Sequence, residues 1–255
     1  MGYGGLCMHF KVFGQVEASR DGESFLLGKS KVGQMLSLLL ARSNEVVSID
    51  ALIDELWGDR VPRTAVTTLQ TYVYHARKLF ETELRVEHPE QLLVTCTSGY
   101  LMALADTELD AILFEALISE GMSCFNDGHA EAALDHFSKA LSLSRSPAFL
   151  GMPMGRSLEM HSIYLQELRL SAISVRVDAY KSLGRHRELI PELRSLVSEN
   201  PLNENFHAQL IDSLHHCGRR AEALQAYQRL SNVLDVELGV RPSLQLQDLY
   251  QKLLV

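Results

Sequence analysis

Hydroxyl, aromatic and cationic side chains share one side of a predicted helix, and no carboxylate lies among them. At about 100° per residue, with Leu69 at the centre of the buried side, this outward face carries Arg63, Thr64, Thr67, Thr68, Thr71, Tyr74, His75 and Lys78. Cations bind phosphate, and threonine hydroxyls and methyls can contact base edges in a major groove. In a chain of net charge −8, a merely solvated face would usually carry Asp or Glu. The pattern therefore favours contact with duplex DNA over a face that is exposed to solvent and binds no partner.

The opposite side of this helix predicts burial. Six residues fall within about 60° of Leu69: Ala65, Val66, Tyr72, Val73, Ala76 and Phe80. A shorter helix precedes it, with Ser48 as a plausible N-cap, one apolar stripe (Ile49, Leu52, Ile53, Leu56 and Trp57) and Gly58 at its end. Pro62 stands where a first helical turn tolerates proline. Two such helices joined by a tight connection predict a helix-turn-helix.

Residues 92–104 alternate as a β-hairpin, with Ser98-Gly99 near the turn and Tyr100 packing beneath it. Thr97 and Ser98 at its tip could reach an adjacent minor groove, although without an Arg their contribution should be small. A core hairpin without a ligand is the alternative. Its position directly after the long helix favours a wing.

The residue types suggest a division of roles along the long helix. Arg63 and Thr64 at its start should meet phosphate, where backbone N–H groups are free. Bases should be read by Thr67, Thr68 and Thr71, which predicts an A·T-leaning half-site because threonine methyls pack on thymine methyls. The DNA backbone farther along should be contacted by Tyr74, His75, Arg77 and Lys78.

The flanking segments complete the predicted architecture. Residues 8–30 read as short strands with a turn at Asp21-Gly22, and Lys29 to Arg42 as a helix. From about Asp106 the chain is almost entirely helical, and Gly184 and Gly218 lie 34 residues apart, the tetratricopeptide period. We therefore expect an α+β winged helix-turn-helix domain at 1–105 and an all-α, tetratricopeptide-like repeat domain at 106–255.

Composition and motifs narrow the function classes. The longest apolar run is too short to span a bilayer, so we expect a soluble cytoplasmic protein without membrane contact. No P-loop, G-x-S-x-G or H-E-x-x-H occurs, which argues against an enzyme, and we expect no catalytic residues and no cofactor.

The four cysteines (Cys7, Cys96, Cys124 and Cys217) never form C-x-x-C, and His215-His216-Cys217 reads as ordinary helix-end residues. We therefore expect no disulfide framework and no metal site.

The order of these segments resembles a known family. VVSIDALIDELWGDRVPRTAVTTLQTYVYHARKLF followed by TSGYLMAL resembles the OmpR/PhoB-type winged helix, an output domain of two-component regulators, and is most similar to the Streptomyces antibiotic regulatory proteins (SARPs). LGRHREL, NPLNENFHAQLIDSLHHCGRRAEALQAYQRL and ELGVRPSLQLQDLYQKLL resemble their bacterial transcriptional activation domain. The outward face carries Thr67 and Thr68 where relatives often carry Arg or Asn.

The resemblance implies a transcriptional activator of a secondary-metabolite (antibiotic) gene cluster. It would bind tandem direct repeats at promoters and recruit RNA polymerase holoenzyme, without control by a phosphorylated receiver. Modest charge per protomer suggests a side-by-side homodimer on DNA, in the nucleoid. The connecting loop, with Trp57, Asp59 and Arg60, is expected to contact polymerase. Two alternatives remain open, namely a helical-repeat adaptor for protein interactions and a repressor that occludes the promoter.

Overall fold

The computed structural model describes residues 8–254. Cys7 and the start of the predicted first domain lie outside these residues. In chain order, the elements are β1 (Met8–Lys11), β2 (Glu17–Arg20), β3 (Glu23–Leu26), α1 (Lys31–Ala41), β4 (Val47–Ser48), α2 (Ile49–Trp57), α3 (Ala65–Glu83), α4 (Pro89–Leu92), β5 (Leu93–Thr95), β6 (Gly99–Met102), α5 (Asp110–Asn126), α6 (Ala130–Leu143), α7 (Arg156–Ser182), α8 (His186–Glu199), α9 (Glu204–His216), α10 (Arg220–Leu238) and α11 (Leu244–Leu254).

Two small antiparallel sheets frame the first half of the chain. The first has the order β1-β2-β3, and its second turn places Asp21 and Gly22 at φ 55° and 87°, as the sequence predicted. The second has the order β4-β6-β5, in which β5 and β6 form the predicted hairpin. The two-residue strand β4 was not predicted. It pairs with β6 in the register Val47 to Tyr100 and Ser48 to Gly99.

Helices α1, α2 and α3 pack into one core between these sheets. Ser30 caps α1 and Ser48 caps α2, the latter by accepting a hydrogen bond from Ala51 N. The buried side of α3 consists of Ala65, Leu69, Val73, Ala76 and Phe80. Phe80 meets Phe10 of β1 edge to face at 6.1 Å between ring centroids. This packing fixes which side of α3 faces outward.

The second half of the chain is helical, as predicted. In α6, Ala133, Phe137 and Ala140 are fully buried, and so are Ala223 and Leu230 in α10. Tyr227 is half-buried and stacks on Tyr250 of α11 at 4.2 Å. The helical repeat is interrupted after α6, since residues 144–155 lie outside the helices and the 27-residue α7 follows them.

Packing divides the described residues into two compact units. One contains the chain up to Glu120 together with His136–Ala172, and the other contains Gly121–Asp135 together with the chain from Ile173 onward. The first unit therefore holds the winged helix-turn-helix and parts of α5, α6 and α7. The predicted boundary between residues 105 and 106 stays a prediction.

Three local predictions need adjustment. Pro62 does not lie in the first turn of α3, because the helix begins at Ala65 and Pro62 accepts the Ala65 N–H in a preceding turn. The hairpin begins one residue later than expected, since Leu92 closes the short helix α4. Helix α1 begins at Lys31 rather than Lys29, because Ser30 caps it. None of the helices in residues 8–254 combines the length and apolar character that crossing a bilayer requires.

Candidate nucleic-acid interface

The N-terminus of α3 is open to solvent. Thr64 is its N-cap residue but makes no side-chain cap hydrogen bond with any described residue. Arg63, Thr64, Val66 and Thr67 are all exposed. The first N–H groups of a helix have no partner within it and carry partial positive charge. The start of α3 can therefore receive an anion such as a phosphate group.

The outward face of α3 is arranged as the sequence predicted. All but one of the eight residues assigned to it are exposed, and Thr68 is half-buried. Tyr74 has the largest aromatic surface on this face, with 64% of its area exposed. Its ring lies 5.8 Å from that of His75. From Arg63 to Lys78 the exposed face carries hydroxyls, rings and cations, and no carboxylate.

The threonine hydroxyls differ in what they can still bind. Thr71 Oγ1 donates to the Thr67 carbonyl at 3.0 Å, so its proton is used within the helix while its methyl and lone pairs remain outward. Thr68 Oγ1 lies 3.4 Å from Thr64 Oγ1. Thr67 Oγ1 makes no hydrogen bond with any residue that the structure describes. Thr67 is therefore the hydroxyl most available to a base edge.

Arg77 already has a contact within the fold. Its Nε and Nη2 donate to the Leu93 carbonyl at 3.1 and 2.6 Å, and Nη2 also donates to Thr95 Oγ1 at 2.8 Å. These bonds join α3 to β5, the first strand of the hairpin. A guanidinium has five N–H donors, so donors remain for a phosphate. The contact seen here positions the wing against the helix.

Lys78 lies beside an acid, Glu81, which follows the outward face of α3 in sequence. Its Nζ is 3.2 Å from Glu81 Oε2, and both side chains are about half exposed. Exposed pairs of this kind contribute little to stability and exchange partners readily. Lys78 can therefore turn to a phosphate, but Glu81 leaves a negative charge near the C-terminal part of the face.

The wing presents its two predicted tip residues to solvent. Thr97 and Ser98 are exposed, while Tyr100 is buried beneath them. Gly99 is buried, and a Cβ at this position would collide with the Val47 carbonyl, so only glycine lets β6 approach β4 this closely. The Ser98 carbonyl accepts from Ile49 N at 3.1 Å. The wing tip is thus anchored at the start of α2.

The loop between α2 and α3 contains both exposed and anchored residues. Asp59 and Arg60 are exposed, whereas Trp57 is half-buried and stacks on Tyr72 at 6.1 Å between ring centroids. Trp57 therefore helps to hold α2 against α3, and the free surface of the loop begins at Gly58.

Two exposed residues of α3 were missed by the sequence reasoning. Val66 was placed on the buried side but is 46% exposed, and Gln70, which was not assigned, is also exposed. The buried residues span only about 80° of the helix at about 100° per residue. Tyr72 on one border is covered by Trp57, and Val66 on the other border is not. A carboxamide at Gln70 could pair with adenine in two hydrogen bonds.

Comparison with known proteins places this geometry in a family. The model of the bacterial transcriptional activator domain matches residues 109–254, and that of the C-terminal domain of transcriptional regulatory proteins matches residues 23–102. The regulatory protein DnrI of Streptomyces peucetius is 36% identical over 97% of this chain and 92% of its own length.

Two further relatives are longer than this chain. The regulatory protein AfsR of Streptomyces coelicolor is 32% identical over 97% of the chain, which spans 24% of AfsR. The structure of Mycobacterium tuberculosis EmbR in complex with a low-affinity phosphopeptide matches 98% of this chain and 65% of that chain, with a TM-score of 0.88 and 28% identity. The winged helix-turn-helix followed by a helical repeat domain is thereby confirmed, and the chain belongs to the SARP family of transcriptional activators.

Proposed function

We propose that this protein activates transcription of an antibiotic gene cluster by laying α3 in the major groove of promoter DNA. The relatives DnrI and AfsR are both named as regulatory proteins, which supports a regulatory rather than an enzymatic role. The observation that carries the proposal is the exposed, carboxylate-free face of α3 from Arg63 to Lys78 beside the exposed wing tip.

The contacts divide into positioning and reading. Arg63, Thr64 and the open N-terminus of α3 hold phosphate, and Tyr74, His75 and Lys78 follow the backbone farther along. Thr67, Thr68 and Thr71 read the bases of an A·T-leaning half-site, with Thr67 the most available. Thr97 and Ser98 touch the adjacent minor groove, and Arg77 holds the wing in place while its spare donors reach a phosphate.

Residues that contact phosphate and residues that contact bases should lose DNA-binding affinity in different ways when they are substituted. Thr67→Ala should cost about 1–3 kcal/mol on the preferred site and nothing on unrelated DNA. Lys78→Ala should weaken all duplexes alike and reduce the salt slope by about one unit for each bound protomer. Gel shifts over a series of salt concentrations, with the preferred site and a scrambled duplex of equal length, measure both effects.

Matched variants on the same helix sharpen this test. Thr82→Ala removes an exposed threonine about 22 Å along the helix from Thr67 and should leave site preference intact. Glu81→Gln removes the acid beside Lys78 and should tighten binding to every duplex. If Thr67→Ala and Thr82→Ala behave alike on the preferred site, α3 does not read bases through Thr67.

We also propose that the exposed loop after Trp57 contacts RNA polymerase. Asp59 and Arg60 are free of ion pairs with described residues and lie outside the α3 face. The double substitution of both to alanine should leave occupancy in a footprint unchanged and reduce run-off transcription several-fold. If the double variant supports full transcription at equal DNA occupancy, Asp59 and Arg60 do not contact the polymerase.

Two protomers side by side on tandem repeats, one helical turn apart, would raise occupancy and face the same side of the duplex. The modest positive charge of one α3 face supports this arrangement, because counterion release from a single protomer is small. The protein would then act in the cytoplasm, at the nucleoid. The probes in the experiments above should carry two such repeats.

A further inference from the structure

Three potential metal ligands meet between two helices of the second unit. His186 is the first residue of α8, and Asp212 and His216 lie one turn apart near the end of α9. The two imidazole rings stack at 4.3 Å with only 4° between their planes. One donor atom from each of the three residues lies within 4.8 Å of the other two.

The donor set has the chemistry of a transition-metal site. Imidazole nitrogen and carboxylate oxygen both bind Zn²⁺ at about 2.0–2.2 Å, so two ligands of one ion lie about 3–4 Å apart. A closure of about an ångström or somewhat more would bring the three donors to that separation, and rotation of exposed His216 can provide it. Imidazole selects Zn²⁺ and its first-row neighbours over Mg²⁺ and Ca²⁺, which prefer oxygen.

The surroundings orient these ligands. Asp212 Oδ1 faces His216 Nδ1 at 3.3 Å, while Oδ2 binds Lys181 Nζ at 2.7 Å. His216 Nδ1 also lies 2.9 Å from the Asp212 carbonyl, which leaves its Nε2 open. His186 Nδ1 is buried and has no hydrogen-bond partner among residues 8–254. A buried polar atom without a partner is uncommon in native structures, and an ion nearby would account for it.

We propose that His186, Asp212 and His216 bind one divalent transition-metal ion, with Zn²⁺ as the expected occupant. The ion joins the start of α8 to the end of α9 and leaves coordination positions for water. Lys181 competes with it for Asp212 and limits the affinity. The site is independent of the DNA-binding face, and nothing about it depends on the proposed role in transcription.

The sequence pattern predicted no metal site at His215-His216-Cys217 and did not indicate His186 or Asp212 as ligands. His215, His216 and Cys217 are adjacent in sequence, but neighbouring helical residues point in different directions. His215 is exposed and lies outside the cluster, although its ring is 5.8 Å from that of His216. The third ligand comes from His186, which is 30 residues before His216 in sequence and adjacent only in the fold.

Calorimetric titration of the 255-residue chain, without a histidine tag, with Zn²⁺ and separately with Co²⁺ tests the proposal. We expect one ion per chain, a rise in melting temperature on adding Zn²⁺, and a Co²⁺ absorption spectrum without thiolate charge transfer. His186→Ala and His216→Ala should each weaken binding by at least about tenfold, with circular dichroism showing that the helices persist.

His215→Ala is the matched control, since it removes the neighbouring imidazole from the same helix end and should leave affinity unchanged. Lys181→Met should tighten binding, because it frees Asp212 Oδ2. The proposal is overturned if His186→Ala binds as the unchanged protein does, if His215→Ala weakens binding as much as His216→Ala, or if cobalt shows thiolate ligation by Cys217. Failure of these metal tests would leave the DNA-binding tests unaffected.

Discussion

Replacing Glu55 with alanine should destabilise the first unit by about 3 kcal/mol or more. Glu55 lies in α2 and is only 2% exposed. Its Oε1 accepts from Gly155 N at 2.5 Å, and its Oε2 accepts from Ser157 N and Leu158 N at 3.0 and 3.2 Å. The carboxylate thus satisfies the first N–H groups of α7, where the helix dipole favours negative charge.

The cost is large because Glu55 is buried and its three N–H partners are buried or partly buried. Alanine would leave three N–H groups at the start of α7 without an acceptor, and each unsatisfied group of this kind costs about 1–3 kcal/mol. Gly155 fits this arrangement, since a Cβ there would collide with the Glu55 backbone carbonyl and carboxylate. Gln34 on α1 adds a further tie, donating from Nε2 to the Glu55 carbonyl at 2.8 Å.

Thermal and urea unfolding measure this loss. We expect the melting temperature of Glu55→Ala to fall by roughly 6–12 °C, at about 2–4 °C per kcal/mol for a domain of this size. Asp54→Ala is the control, because it removes the same charge from the adjacent, exposed position of α2. Equal melting temperatures for the two variants would show that Glu55 does not cap α7 in solution.

The second large effect is a pH dependence of stability centred on Asp110. This residue begins α5, and its carboxylate accepts from Val12 N at 2.9 Å and Phe13 N at 3.1 Å. Burial raises the pKa of Asp110 from its ordinary value of 3.8 to about 6, although these hydrogen bonds oppose the rise. The folded protein therefore holds the Asp110 proton more tightly than the unfolded chain does.

The direction of the pH dependence of stability follows from this difference between the folded and the unfolded pKa of Asp110. Below pH 3.8 the group is protonated in both states and its contribution to stability is complete. As the pH rises through about 6, the folded protein must bury a charge, and the contribution is lost. At about 1.36 kcal/mol per pKa unit, the free energy of unfolding should drop by about 2–3 kcal/mol between pH 4 and pH 7.

Urea unfolding of the unchanged protein and of Asp110→Asn, measured across this range, isolates the effect. Asparagine cannot ionise, so the difference in unfolding free energy between the two proteins should change by about 2–3 kcal/mol from pH 4 to pH 7. Asp106→Asn changes an exposed carboxylate four residues earlier, and its difference should stay flat. If the difference in unfolding free energy between the unchanged protein and Asp110→Asn also stays constant from pH 4 to pH 7, the pKa of Asp110 is not raised in the folded protein.

Glu55 and Asp110 indicate how much of the protein the sequence pattern could predict. Glu55 lies in a helix that the sequence predicted from its apolar stripe, with Ser48 as N-cap and Gly58 at its end, whereas Asp110 lies in a segment that was predicted only to be helical. Neither was identified as buried, because a lone carboxylate in an amphipathic helix is usually solvated. Their partners, Gly155 and Val12, lie 100 and 98 residues away in sequence, and no local pattern encodes such a contact.

Within α3 as well, helical periodicity predicted some features of the outward face, and neighbouring elements decided others. Angular spacing identified Thr67, Tyr74 and Lys78 as exposed, since a helix has a fixed repeat and its apolar stripe marks the core side. The exposure of Val66 and the engagement of Arg77 by the Leu93 carbonyl depend on neighbouring elements. The width of a buried stripe is set by what packs against it, and the helix itself does not contain that information.

The sequence by itself determined the order of the two domains, the main elements of the winged helix-turn-helix, the side of α3 that faces away from the core, and the family, because these follow from local periodicity and from ordered motifs. Only the tertiary structure decided that Glu55 caps α7, that Arg77 braces the wing, and that His186 meets Asp212 and His216. Each of these is a contact between residues at least 16 apart in the chain. Such contacts arise from burial and packing of whole elements, which short-range side-chain patterns do not specify.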